Sequence, residues 1–512
     1  MDFCKLKSQI IDLTENLKLV NSSYKQDKNG FDFMQTEKSS ILKLSEQIGT
    51  TVNILKKIKR KSCDPALSTP MKRQKLAEKD HVTKQLDQQL LDKMPSRNKM
   101  LSKLINNVAK KSDVINQCFQ DNTLNDLSKR CYICKIKFKK MHHFYDQICG
   151  QCGDFNYSKR QQTCDFGGKT ALVTGCRIKI GYQICLFLLR NKCSQLIGTT
   201  RFPKDAYTRF SQEPDFDSFK TRLKIYPLDL RDLNSISKLV TYLNSSLTKL
   251  DILINNAAQT IRRNVKFYEH LLEIESRDQD QFDQNIKSVL INDKYLEKNN
   301  FLKFNDVECC LNLKDNNLPL SVVQSQIALV EEDFAPVAKN FPKDVYDKDR
   351  QQVDLSSKCS WNKVIDEIDM FEFAETQVIN SWAPFMICSR LKGLMSRNRE
   401  EPKFIVNVSS MEGKFNRYKN VTHPHTNMSK ASLNMLTRTC GPDFAQHNIF
   451  MTSVDTGWVS EMNPSHVYSY EKTVPLDEFD GAIRVLDPII QGYNDNVFLH
   501  SVFLKDFKKT EW

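Results

Sequence analysis

At 512 residues the chain is too long for one ordinary domain, and its 40% hydrophobic content is ample for a large buried core. Lys and Arg number 75 against 62 Asp and Glu, and the surplus sits in front: residues 1–130 hold 25 basic and 15 acidic side chains, so an anionic partner or an import receptor would be met there. The first residues mix both charges without a continuous apolar core, no stretch nears the roughly 18 apolar residues of a membrane span, and the 16 cysteines are dispersed, which argues against a secretory signal, membrane helix or disulfide framework and for reduced thiols in a nuclear or cytoplasmic protein.

Residues 1–125 form a basic arm rich in Lys, Gln, Asn, Ser and Asp and nearly without glycine. Ile10, Leu13, Leu17 and Val20, then Ile41, Leu44, Ile48 and Leu55, follow three- and four-residue spacings, but each seam runs for two heptads at most. Helices that short are marginal alone, so the arm reads as mostly disordered or transiently helical; the seams also allow self-association into a homo-oligomer. Lys56–Lys61 (KKIKRK) and Lys72–Lys75 (KRQK) flank a spacer containing Pro65 and Pro70, the pattern of a bipartite signal read by a nuclear-import receptor. A solvated charge run is the plainer reading. Nucleic-acid contact is weaker still, because no aromatic residues interleave the basic ones.

Residues 126–165 carry Cys131-x-x-Cys134 and Cys149-x-x-Cys152, with fourteen residues between the pairs. Each pair can set two thiolates on one side of a tight turn, and four thiolates complete a tetrahedral zinc site with no position left for water, hence a structural one. His142 and His143, between the pairs, are read as packing or exposed in preference to replacing a cysteine. Lys135, Lys137, Lys139 and Lys140 make this module basic, which suits protein or nucleic-acid contact.

A large domain starts near residue 166. The apolar run Thr170–Val173 stops at Thr174-Gly175, a basic turn with Arg177 and Lys179 follows, and Gly181 opens an apolar helical stretch, Ile184–Leu189. This is the order strand, phosphate-binding turn, helix. Turn N–H groups and the helix N-terminus face a pyrophosphate, so small residues stand where backbone approaches it; Lys179 takes one such place and, with Arg177, adds positive charge. Ser194–Arg201 reads as a second strand, ending in Arg201 where many dinucleotide enzymes hold an acidic group for the ribose. A guanidinium there favours a 2′-phosphate, hence NADP(H) over NAD(H). Leu223–Leu230 is a third strand delivering Asp229, and Leu250–Ala258 a fourth ending in Asn255-Asn256-Ala257. Alternation with helical segments such as Ser235–Leu247 predicts an α/β fold, a Rossmann-type doubly wound parallel sheet with the cofactor across its carboxyl ends.

The series Thr174-Gly175…Gly181, Asp229, Asn255-Asn256-Ala257, Asn380, Asn407-Val408-Ser409-Ser410, Lys430 and Thr456-Gly457 resembles the short-chain dehydrogenase/reductase family, in the family's order over residues 166–512. The four-cysteine zinc module, HHFYDQ (His142–Gln147), HPHTNMSKA (His423–Ala431) and DTGW (Asp455–Trp458) are together similar to a subgroup of it. The resemblance implies that Ser410 holds the substrate oxygen, Asn380 a relay water, and Lys430 the nicotinamide ribose, with Gly457 on the nicotinamide side. It also implies a tyrosine four residues before the lysine as proton donor, and Thr426 stands there. A threonine hydroxyl hydrogen-bonds but is a poor acid. The proton source is then left among Tyr418, His423 and His425 before the helix, Tyr268 of an insertion spanning about 262–370, and a water on Thr426. The insertion reads as lid, partner site or tolerated surface loop, with Arg262, Arg263 and Tyr268 closest to the cleft. Two functions follow: an NADP(H)-dependent oxidoreductase acting on a small carbonyl or alcohol, and a non-catalytic nucleotide-binding protein working through its zinc module and arm.

Overall fold

The structure, a computed structural model, describes Asp87, Met94 and residues 128–291, 318–334, 339–347, 349–416, 418–462 and 474–512. The heptad seams and both basic clusters lie outside these residues. Residues 1–86 and 87–512 are separate units, and all described residues belong to the second.

A short antiparallel ribbon, β1 (Lys129–Arg130) and β2 (Lys137–Phe138), brackets the first cysteine pair. Eight further strands make one sheet: β3 (Thr170–Thr174), β4 (Gln195–Thr200), β5 (Leu223–Pro227), β6 (Ile252–Asn255), β7 (Lys403–Ser409), β8 (Ile449–Asp455), β9 (Val502–Lys505) and β10 (Lys508–Thr510). Their order is β10-β9-β8-β7-β6-β3-β4-β5, parallel throughout except for β10 on β9. Every residue of β3 is buried, as a parallel strand covered on both faces requires. Ala171 and Val173 face the layer of helices Lys179–Arg190 and Glu478–Asp495, and Leu172 between them faces Leu233–Ser246 and Ala383–Met395. The chain runs outward from β3 to β5, then returns to β6 and runs the other way. The carboxyl ends of β3 and β6 therefore bound the crevice where such sheets bind ligands. β5 stops at Pro227, which has no N–H for the ladder, so Asp229 sits in the loop beyond the strand instead of at its end.

The cysteine module is docked onto this sheet. Its helix, Gly150–Arg160, lies along Glu478–Asp495. Arg160 pairs with Asp477 (2.6 Å) and Asp480 (2.8 Å), Lys159 with Asp487 (2.7 Å), and the Tyr145 hydroxyl donates to Asp480 (2.6 Å). Cys131, Tyr145 and Ile148 form an apolar cluster with Val459 and Leu476. Buried pairs of this kind hold geometry more than they add stability, since desolvation offsets most of the attraction.

The described parts of the insertion cover the crevice from the other side. Leu271 and Val322 pack with Phe202, Arg262 pairs with Asp333 (2.5 Å) and Glu375 (3.0 Å), and Arg263 with Asp354. Helix Met370–Gln377 then runs through a π turn, Val378–Trp382, into Ala383–Met395. No helix among the described residues is long and apolar enough to cross a membrane.

Candidate functional site

The turn after β3 is built for backbone approach. Gly175 has φ +74°, and a Cβ on Gly181 would overlap the Gly175 carbonyl oxygen and lie 2.5 Å from Asn256 Nδ2. Thr174 Oγ1 accepts the N–H groups of Asn256 and Ala257 (3.0 Å each), while Asn256 Nδ2 donates to the carbonyls of Thr174 (3.0 Å) and Gly175 (3.2 Å). The turns after β3 and β6 are thus one unit. Its fastener is Asn256, which the sequence reading passed over for Asn255. Asn255 lies inside the sheet, donating to Asn407 Oδ1 (2.8 Å) and Cys388 Sγ (3.3 Å). Lys179 adopts φ +54°, a left-handed conformation that costs a non-glycine residue roughly 1–2 kcal/mol.

Beyond this turn opens a cavity of about 370 Å³ lined by Gly175, Lys179, Arg201, Asp229, Ala257 and Tyr268, among others. Arg201 donates to the Tyr268 hydroxyl (2.8 Å), and its guanidinium lies 4.6 Å from that ring's centroid. Burial pushes the Tyr268 phenol up, but Arg201, then Arg263 and Arg177, outweigh it and hold it below the usual tyrosine value. Asp229 is buried and bound by Arg231 (2.8 Å), which also pairs with Glu375 (2.6 Å). Arg177 lines the cavity too, though its guanidinium is committed to Asp205 (2.8 Å) and Gln351 Oε1 (2.7 Å).

A second cavity, about 480 Å³, holds Ser410, Thr426, Lys430 and Thr456–Gly457 on one wall system. Thr426 and Lys430 are four apart on helix Pro424–Ala445 and so share a face. Lys430 Nζ donates to the Val408 carbonyl (2.8 Å). Burial pushes its amine down to about 8, against the opposing pull of Glu412. Thr426 Oγ1 and Ser409 Oγ are buried, line this cavity and have no hydrogen-bond partner among the described residues. Buried polar groups are nearly always bonded, so a polar ligand that reached these two hydroxyls would find them with bonding capacity to spare.

The other sequence candidates lie elsewhere. Asn380, in the π turn, receives the Gln259 N–H (2.7 Å) and donates to the Gln259 carbonyl (2.9 Å) and Ser429 Oγ (3.1 Å), bracing the loop after β6. Tyr418 is 95% exposed. His423 stacks on Trp361, rings 4.0 Å apart, and bonds its carbonyl through Nδ1 (2.8 Å). His425 is buried with Nε2 3.6 Å from Glu372. Tyr268 stands at the Arg201 end. One phenol does line the second cavity: Tyr132, from the first cysteine pair.

A profile described as short chain dehydrogenase matches residues 169–293. An uncharacterized protein of Acanthamoeba polyphaga mimivirus is 31% identical over 379 residues, covering 70% of this chain and 71% of that protein. The chain belongs to the short-chain dehydrogenase/reductase family. A (−)-isopiperitenone reductase of Mentha piperita is 31% identical over 87 residues, 17% of this chain and 28% of that protein. Among solved structures, the NADPH-bound carbonyl reductase from chicken fatty liver is 17% identical with a TM-score of 0.41, covering 68% of this chain and 100% of its own. The carbonyl reductase Sniffer of D. melanogaster is 16% identical with a TM-score of 0.40, covering 68% and 100%.

To the short-chain dehydrogenase/reductase fold this chain adds the cysteine module. The ligand atoms of Cys131, Cys134, Cys149 and Cys152 all lie within 4.8 Å of one another, and Cys134 and Cys149 sulfurs are 3.6 Å apart. A tetrahedron of thiolates about 2.3 Å from zinc has edges near 3.8 Å, so the set fits that ion. The Ile136 N–H is the chief cause that lowers the Cys134 thiol to about 7. His142, His143 and Asp154 also cluster, but His142 Nδ1 accepts the N–H groups of Phe144 (3.0 Å) and Tyr145 (3.3 Å). The proton of the neutral ring is then on Nε2, toward Asp154 at 3.2 Å, where it opposes ligation.

Proposed function

We propose that this protein is an NADP(H)-dependent oxidoreductase that interconverts a small carbonyl compound and its alcohol, with zinc held structurally by the four cysteines. The observation that carries this reading is continuity. Ile180, Asn256, Ala258 and Thr260 line both cavities, so one dinucleotide can span from Arg201 to Ser410 and Lys430. Arg201 would hold the 2′-phosphate and the turn around Gly175 and Gly181 the pyrophosphate. When bound, the cofactor supplies or accepts the hydride.

The chain's residues then handle the oxygen and the proton. Ser410 donates a hydrogen bond to the substrate oxygen, and the charge developing there is stabilised by the Lys430 ammonium. With Thr426 in place of a phenol, the acid is Lys430 itself, whose value of about 8 suits transfer near neutral pH. In reduction one hydride and this one proton convert the carbonyl to the alcohol, and solvent re-protonates the amine.

A second reading, a nucleotide-binding protein without turnover, is favoured by Thr426 alone. Titrating purified protein with NADPH while following its fluorescence tests the binding, and NADPH oxidation across a panel of aldehydes and ketones tests the chemistry. Binding with turnover supports the oxidoreductase, and binding without turnover of any carbonyl supports the second reading. No binding at millimolar NADPH overturns both.

A further inference from the structure

Zinc modules are ordinarily self-contained, whereas this one contributes a side chain to the wall around Lys430. Tyr132 sits between Cys131 and Cys134, so both flanking segments are fixed by the four-sulfur cluster. Its hydroxyl oxygen accepts the Trp458 N–H (2.9 Å). Its ring lies 6.0 Å from the Lys505 ammonium, which pairs with Asp455 (2.7 Å). Asp455 Oδ1 in turn accepts the Gly457 N–H (2.8 Å). Gly457 has φ +79°, and a Cβ there would lie 2.5 Å from Leu476 Cδ1 and 3.4 Å from the Tyr132 oxygen. The turn after β8 is therefore clamped twice, from its own strand by Asp455 and from the cysteine module by Tyr132.

The two ends of the cleft differ in this respect. Module residues pack with Val459 and Leu476 and reach the nucleotide cavity only through Ile180, while Arg201 and Tyr268 depend on the insertion. We infer that Tyr132 is a positioning residue: through the Trp458 N–H it sets the turn against which the nicotinamide end of the cofactor rests, and leaves the adenosine end independent of the cysteine module. The inference rests on the reading of this cleft as an NADP(H) site.

The test compares two probes by calorimetric titration of the full-length, zinc-loaded protein: NADPH, and 2′-phospho-ADP-ribose, which has the same adenosine end and no nicotinamide. Tyr132→Phe removes only the acceptor oxygen and is expected to weaken NADPH about fivefold, the scale of one net hydrogen bond, with 2′-phospho-ADP-ribose unchanged. Tyr132→Ala removes the wall as well and should weaken NADPH further, with the truncated probe again unchanged, which also shows that the variant is folded. Equal weakening of both probes, or no change in either, overturns the role of Tyr132. Failure of the unmutated protein to bind either probe overturns the NADP(H) reading itself and this inference with it.

Discussion

The two ends of the cleft are prepared in opposite ways. At the nucleotide end three of the charged groups lining the cavity, Lys179 apart, are already engaged: Arg201 with Tyr268, Asp229 with Arg231, Arg177 with Asp205 and Gln351. At the other end Thr426 and Ser409 hydroxyls stand buried without partners, and Lys430 faces no carboxylate at ion-pair distance among the described residues. A prepaired end holds its shape before the ligand arrives and loses little reorganisation on binding. An end with unbonded polar groups leaves more of its hydrogen bonding to be arranged when a ligand arrives.

The sharpest way to break this contrast is Lys430→Ala. It should lower carbonyl-dependent NADPH oxidation about 10³-fold, the scale of acid–base catalysis, while 2′-phospho-ADP-ribose still binds. Undiminished turnover would remove the proton route argued above. Gly181→Val strikes the nucleotide end, where even a Cβ overlaps the Gly175 carbonyl. It should abolish detectable NADPH binding and destabilise the protein by about 1–3 kcal/mol in denaturant titrations. Arg201→Ala should weaken NADPH about 10- to 100-fold, the scale of a lost charged hydrogen bond to phosphate, and change NADH much less, so that the two cofactors converge.

The pH dependence addresses the unpaired end again. Lys430 is cationic below about 8 and neutral above it. Turnover limited by its proton should fall about tenfold per pH unit beyond that value. Lysine in the unfolded chain keeps its proton to higher pH, so Lys430 destabilises the fold below about 8, and that penalty fades as pH rises from there toward the free value. The smallest effect belongs to Lys179→Gly. Release of the left-handed strain should raise stability by about 0.5–1 kcal/mol by chemical denaturation, partly offset by added freedom of the unfolded chain.

Local patterns on the page of sequence carried the parallel sheet and the Thr426–Lys430 face, because strand runs, glycine turns and four-residue spacing are consequences of nearby residues alone. Asn256 was missed beside Asn255 because two adjacent identical side chains differ only in where the strand ends. β6 stops at Asn255, so Asn255 points into the sheet and Asn256 into the turn. Tyr132 carried no signal at all. It reads as a spacer in Cys-x-x-Cys, and its position depends on a docking face about 330 residues away in the chain. His423 and His425 were attractive for their chemistry, yet a stacked indole and a buried carboxylate claim them, and neither contact has a periodicity to betray it.

The pairing of Tyr145 with Asp480, 335 positions apart, also bears on how the protein is made. Domains fold as units and in the order of synthesis. The cysteine module leaves the ribosome before strands β3–β8 and its four thiols are then together, but helix Glu478–Asp495, its seat, follows all of those strands in the chain. Until then the module lacks that seat, the face that packs on Val459 and Leu476 stays uncovered by them, and the wall that Tyr132 completes does not exist. Contacts closed over so long a loop form slowly, so any metal the four cysteines take should be held before the cleft is complete, earlier by the time taken to translate and fold the whole sheet.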